Sequence, residues 1–206
     1  MRLLRFYLLS ICCTGLYANN VEISEGVPYV EFTHNEKTYK IERNQNRNAR
    51  LTNTFALTSR PSPPFFVEPF SVASGIETYG ELEVLNFIEK KKGLFIDARL
   101  SNWYERSTIP SSVNIPFKKF LSETPERKEI LKRLGVLSVK KGVWDFSEAK
   151  TLLLYCNGAW CGQSPTAIEA LIEIGYPKHK MKYYRGGMQA WQLLGLSTVV
   201  PSKERK

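Results

Sequence analysis

Thr151-Leu152-Leu153-Leu154-Tyr155-Cys156-Asn157-Gly158-Ala159-Trp160-Cys161-Gly162-Gln163-Ser164-Pro165 is the stretch whose reading decides the fold of this chain. Its first five residues are an apolar run without polar alternation, the pattern of a strand buried on both faces. Ser164 offers a helix N-cap and Pro165 a first-turn proline; Ile168, Leu171 and Ile172 then turn inward before Gly175 closes the helix. A second short strand follows over Met181 to Tyr184. Strand, loop, helix and strand in that order predict an α/β domain with a mostly parallel central sheet flanked by helices.

Upstream the same alternation continues. Thr78 and Glu81 have capping-box spacing, Leu82, Leu85 and Ile88 share a face, and Lys90 to Lys92 precede Gly93, which predicts a helix over Tyr79 to Lys91. Leu94 to Ile96 reads as a short buried strand ending at Asp97, and Glu126 to Leu134 as a helix stopping at Gly135. Before this domain, Pro28 to His34 and Thr38 to Arg43 alternate around Asn35-Glu36-Lys37, which predicts an N-terminal β-hairpin extension. In Ser59-Arg60-Pro61-Ser62-Pro63-Pro64-Phe65-Phe66 three prolines force an extended path, and the expectation is that its phenylalanines pack on the neighbouring domain; a partner ligand is the other reading.

The chain has 206 residues, 43% hydrophobic and 24% charged, which suits one folded domain with an extension and excludes collagen-like or wholly disordered chains. Arg2 and Arg5 lead an apolar stretch from Phe6 to Tyr17 that ends at Ala18, the layout of a secretory signal peptide too short to be a stable membrane anchor. A buried N-terminal element is the competing reading. Cys12 and Cys13 raise a lipoprotein alternative, ranked lower because Ile11 is bulkier than such processing prefers. The expected organisation is 1–18 signal peptide, 19–75 extension with hairpin and Pro-rich segment, 76–200 main domain and 201–206 basic tail. The expected location is the periplasm or the exterior. The net charge of +9 sits in local runs, so nucleic acid is not an indicated partner.

The chemistry is argued at the strand-to-helix loop. Of four cysteines, Cys156 and Cys161 lie beyond the signal segment. The two histidines, His34 and His179, are far apart, so a zinc site is a poor fit and no metal is expected. Asn157, Gly158, Ala159, Trp160, Cys161, Gly162, Gln163 and Ser164 lie where open α/β sheets bind ligands. Positive φ at Gly158 and Gly162 would aim successive N–H groups at an anion, and the helix dipole adds positive potential. Cys156 should then have a lowered pKa and be the nucleophile, against the alternative of an inert buried cysteine. Trp160 at the loop apex is expected at the entrance or on a docking surface, and Cys161 is a possible redox partner of Cys156.

At these residues the chain resembles the rhodanese-like family of sulfurtransferase domains. Leu94-Phe95-Ile96-Asp97-Ala98-Arg99 is similar to its first signature, Thr108-Ile109-Pro110-Ser111-Ser112-Val113-Asn114-Ile115-Pro116 to its second, and Leu154-Tyr155-Cys156 to its catalytic strand end. Gly175-Tyr176 and Arg185-Gly186-Gly187-Met188-Gln189-Ala190-Trp191 are similar to its closing motif. More narrowly, it resembles an exported bacterial subgroup with an N-terminal hairpin; some members have cysteines where this chain has Ser62 and Phe66. Ser107, Thr108 and Ser111 depart from the family's usual Gly-His and Gly, departures expected to affect a loop. Position 162 is glycine, not the arginine a C-x5-R phosphatase needs. The absence of Arg or Lys between Cys156 and Ser164 weakens the case for thiosulfate.

The resemblance implies that Cys156 takes sulfane sulfur as a persulfide and passes it to a nucleophile. No cofactor is needed. The expected partners are a small sulfur donor and a thiol acceptor, or a protein sulfur acceptor. Arg185 is a possible substrate contact, Asp97 and Arg99 are expected to form a structural ion pair, and Trp191 is expected in the core. The rivals are a thiol-disulfide redox protein using Cys156 and Cys161, and a catalytically silent binding module.

Overall fold

Residues 152–155 form the middle strand of a five-stranded parallel sheet in a computed structural model that describes residues 21–60, 65–121, 125–140 and 143–201. The 1–18 signal-peptide reading, all but the first residue of the 201–206 tail, and Pro61 to Pro64 lie outside the described residues. In chain order the strands are β1 (Tyr29–His34), β2 (Lys37–Glu42), β3 (Glu77–Tyr79), β4 (Leu94–Asp97), β5 (Val113–Asn114), β6 (Leu137–Lys140), β7 (Val143–Asp145), β8 (Leu152–Tyr155) and β9 (Met181–Tyr184). The helices are α1 (Glu81–Glu89), α2 (Ser101–Tyr104), α3 (Pro125–Arg133), α4 (Gln163–Glu173) and α5 (Gly187–Leu193).

The main sheet has the order β3-β9-β8-β4-β5. β8 pairs with β4 on one side, Leu154 opposite Ile96, and with β9 on the other, Tyr155 opposite Tyr184. With ladders on both edges and helices on both faces, all four β8 residues are buried, which is why the run carries no polar residue. One face packs Leu152 and Leu154 against Ile130, Leu131, Ile168 and Leu171 of α3 and α4. The other packs Leu153 and Tyr155 against Val84, Leu85 and Ile88 of α1 and Met188 and Trp191 of α5.

The hairpin belongs to that second core. Phe32 faces Tyr39 and Val30 faces Ile41 across it, and Asn35 and Glu36 take φ of 47° and 61°, as a two-residue hairpin turn needs. Lys37 therefore opens β2 instead of completing the turn. Phe32, Ile41 and Phe55 are buried with α1 and α5, each burial stabilising the docked extension by about 1.5–3 kcal/mol.

Several sequence expectations are corrected. Glu77 to Tyr79 pair with β9, so α1 starts at Glu81. Its N-cap is Gly80, whose N–H donates to Glu83 Oε2 at 3.1 Å, while Thr78 donates to the Phe70 carbonyl. Leu82 is exposed, because the buried stripe runs through Val84, Leu85, Phe87 and Ile88. The N-cap of α4 is Gly162, not Ser164, which lies inside the first turn with its hydroxyl used elsewhere. Ile172 is half-buried where Ile168 and Leu171 are fully buried. β5, α2 and the β6–β7 hairpin were not foreseen; they are too short or too polar to show a periodicity.

Candidate active site

β8 delivers Cys156 to the carboxyl end of the sheet, and the chain then curls into the N-terminus of α4. The curl is closed by the Cys161 N–H donating to the Gly158 carbonyl at 3.0 Å. Neither Gly158 nor Gly162 has positive φ, contrary to the sequence expectation; Gly162 sits at −74°. The left-handed glycine of the site is Gly187, at φ +54°, on the element that backs the loop. A Cβ there would lie 2.4 Å from the Cys156 carbonyl oxygen. This close approach lets Met188 N–H reach the Cys156 carbonyl at 3.1 Å and Gln189 N–H reach that of Asn157 at 2.9 Å.

Both thiols are free and both are buried, Cys156 at 2% exposure and Cys161 at 0%. Cys156 Sγ donates to the Cys161 carbonyl at 2.8 Å and accepts from Ser164 Oγ at 3.0 Å. Cys161 Sγ accepts from Asn157 Nδ2 at 3.5 Å, and the backbone N–H groups of Asn157 and Gln163 lie near enough to favour its ionised form. Burial pushes the Cys156 thiol up, and the neighbouring Cys161 adds to this, outweighing the help from Ser164. Burial opposes ionisation of Cys161 too, but hydrogen bonds from Cys156 and the loop N–H groups overcome it and bring that thiol down to about 7. The expected acidic Cys156 is thus corrected. The loop amides converge on the second sulfur, while the first faces a carbonyl.

The extension lies over this loop. Phe65 forms an antiparallel bridge with Cys161, and Glu68 N–H donates to the Ala159 carbonyl at 2.9 Å. The Glu68 carboxylate lies 3.0 Å from where a Cβ on Gly162 would sit. Trp160 is half-buried, donating Nε1 to Gln189 Oε1, with the Arg60 guanidinium 3.7 Å over its ring and Phe65 edge-on at 5.1 Å. Phe65 packs as expected of that segment, but Phe66 is exposed. Arg185 donates from Nη2 to the Glu68 carbonyl at 2.7 Å and from Nε to the Glu68 and Pro69 carbonyls. Its observed work is to hold this strap. Sequence reasoning missed the strap, the α5 backing and Tyr183, a buried phenol within electrostatic reach of both thiols.

Beneath the loop lies a buried network. Arg99 Nε and Nη2 donate to Asp97 at 2.9 and 2.6 Å, and Tyr155 OH donates to Asp97 Oδ2 at 2.9 Å. Thr108 Oγ1 bonds Asp97 Oδ2 at 2.9 Å and stands 2.7 Å from Tyr155 OH. Asp97 and Arg99 form the expected ion pair, and Trp191 is fully buried. Thr108 reaches further than the expected loop effect, since it supports the residue preceding Cys156. Ser111, where the resemblance has glycine, takes φ +69°.

Two clefts lie away from this loop, one lined by Arg43, Arg47, Arg50 and Leu194, another by His34, Tyr39, Thr108 and Pro201. Among the described residues no three His, Cys, Asp or Glu side chains are grouped to hold a metal, and no helix is long and apolar enough to cross a membrane.

Among solved structures the chain is similar to the thiosulfate sulfurtransferase from Pseudomonas aeruginosa, at 17% identity over 60% of this chain and TM-score 0.44. It spans only 20% of that enzyme's length. It is also similar to a rhodanese with anions from E. coli, at 23% identity over 52% of this chain and 98% of that one, TM-score 0.35. A third is the human single-domain sulfurtransferase TSTD1, at 14% identity over 59% and 97%, TM-score 0.41. A comparison with curated proteins finds no match. The rhodanese-like domain matches residues 82–194, more than half of the chain, and with the parallel sheet and strand-end cysteine already described, the chain belongs to the rhodanese-like domain family.

Proposed function

We propose that the protein is an exported sulfurtransferase that carries sulfane sulfur as a persulfide on Cys156. The observation supporting this reading is the position of Cys156 at the end of the central strand, its sulfur in hydrogen-bond contact with Ser164 in the first turn of α4. Cys161, the more acidic of the pair, ionises first; its thiolate then takes the proton of Cys156 as general base, and the resulting Cys156 thiolate attacks the outer sulfur of the donor. The donor's S–S bond breaks and its leaving group departs with the electron pair. An acceptor thiolate, small or on a protein, then attacks the outer sulfur of the persulfide and regenerates the Cys156 thiolate. No cofactor enters this cycle. The chain acts in the periplasm or outside the cell, after cleavage behind Ala18.

Intact mass measurement of the reduced protein after incubation with sulfane-sulfur donors tests this. The expected result is one added sulfur atom mapped to Cys156 and none in Cys156→Ala. A second reading, a dithiol-disulfide protein, is favoured by the two free thiols of one loop lying close enough to influence each other's ionisation. It predicts the loss of two hydrogens instead of a gain of sulfur. A silent binding module gains no sulfur and needs neither cysteine.

A further inference from the structure

Among the described residues, the buried side-chain atoms near the two thiols that lack a hydrogen-bond partner are two amide oxygens, a phenol and one arginine nitrogen. Residues 157–164 include no Arg or Lys. The buried amide oxygens Asn157 Oδ1 and Gln163 Oε1 have no hydrogen-bond partner, and neither does the buried Tyr183 hydroxyl. At the amino end of α4, where an anion would gain most from the helix dipole, the strap has placed the Glu68 carboxylate against Gly162. Glu169 on α4 lies within electrostatic reach and adds a second negative charge. Two cations stand at the rim. Arg185 spends Nε and Nη2 on strap carbonyls, and Arg60 lies over the Trp160 ring with Nη2 on the Thr54 carbonyl and its buried Nε without a hydrogen-bond partner.

From this arrangement we propose that the site is built for uncharged or cationic sulfane-sulfur donors, organic persulfides of the type R–S–SH, and that Glu68 of the extension is the residue that turns away anionic donors such as thiosulfate. The inference rests on the sulfurtransferase reading. In the transfer, the Cys156 thiolate bonds to the terminal sulfur of R–S–SH, the S–S bond of the donor breaks, and R–S⁻ leaves with the electron pair, so one thiolate and one persulfide exchange places. The orphan amide oxygens accept hydrogen bonds from a persulfide S–H or an ammonium group, which thiosulfate does not carry. A thiosulfate dianion there would be desolvated against a carboxylate. Glu68 is held by its own backbone, through Ala159 and Arg185, so replacing its carboxylate leaves the strap's hydrogen bonds in place.

The test is sulfur loading of the full chain from donors of one chemistry and graded charge: cysteamine persulfide, 3-mercaptopropionate persulfide and thiosulfate, each followed by mass and by initial rate. Wild type is expected to load at least tenfold faster from the cationic persulfide than from either anion, and Glu68→Gln to reduce that ratio at least fivefold by accelerating the anions. Equal loading from all three donors, or an unchanged ratio in Glu68→Gln, overturns the inference and leaves the transferase reading standing. Fast thiosulfate loading that Arg60→Gln abolishes also overturns it, by making Arg60 the anion receptor. Loading from no donor removes the transferase reading itself, and the inference with it.

Discussion

The thiol of Cys156 donates to the backbone carbonyl of Cys161 at 2.8 Å, so the sulfur at the strand end is held protonated by the residue whose own sulfur gathers the loop amides. The two titrate as a pair, with the lower step near 7. Sulfur loading of wild type should therefore rise with pH through about 7, because Cys161 must lose its proton before its thiolate can take that of Cys156. In Cys161→Ser the general base is gone, and although the upward push of Cys161 on Cys156 goes with it, burial still holds Cys156 above the ordinary thiol value, so the profile should move above the wild-type midpoint. Transfer survives, but the rate at fixed pH below the midpoint falls ~10-fold per unit of displacement. Initial rates across pH check this; an unmoved midpoint would show that Cys161 takes no part in ionising Cys156.

Cys156→Ala should lose transfer by at least ~10³-fold, since the remaining thiol, Cys161, is fully buried in the loop and not at the strand end. The assay is transfer from a persulfide donor to a thiol acceptor, with folding checked by circular dichroism. Full activity in this variant would exclude Cys156 as the carrier.

How much of this was legible in the sequence depended on whether local pattern or tertiary contact set the outcome. β8 was legible because a strand covered on both faces must be apolar throughout, and α3 and α4 because Gly135 and Gly175 stop them in positive φ. The hairpin was legible because Phe32 and Ile41 alternate with polar residues. The strap was not. Its path is fixed by Ala159 and Arg185, more than ninety positions away along the chain, and no local periodicity encodes such contacts. The acidity of the thiols was misassigned for a related reason. Which of two sulfurs the loop amides face depends on the path of the curl, and glycines at 158 and 162 suggested a left-handed path that the chain does not take.

Gly187→Ala should damage the site through backbone geometry alone. Its φ of +54° is unfavourable for an L side chain by about 1–2 kcal/mol, and the added methyl would overlap the Cys156 carbonyl, 2.4 Å away. Gly26→Ala is the control: φ is +72° but nothing lies within 4 Å, so only the conformational cost applies. Denaturant midpoints and loading rates together should show Gly187→Ala losing both stability and activity, and Gly26→Ala keeping its activity.

Asp97→Ala should destabilise the fold by about 3–5 kcal/mol, because Arg99 would be left as an uncompensated buried charge. The loss should appear in urea midpoints. Molecules still folded should load sulfur at reduced rate, since Tyr155 and Thr108 lose a shared acceptor directly beneath Cys156. A change below 1 kcal/mol would mean that water or neighbouring carbonyls satisfy Arg99 in its absence.

The redox state of the pair can be read without any substrate. In an oxidising compartment the short Cys156 to Cys161 spacing should give a partly formed disulfide, and closing so small a ring gains little loop entropy, so mild reductant should reopen it. The strap should modulate how readily this happens. Trp160→Ala removes the ring that Arg60 and Phe65 cover, contacts worth roughly 0.5–1.5 kcal/mol for the aromatic pair and a similar amount for the cation. Loosening the strap should raise the alkylation rate of the reduced thiols several-fold, while transfer activity in freshly isolated wild type should increase on reduction. Fully reactive thiols in unreduced protein taken from the exported fraction would exclude the disulfide, and an unchanged alkylation rate in Trp160→Ala would show that the loop, not the strap, shields the pair.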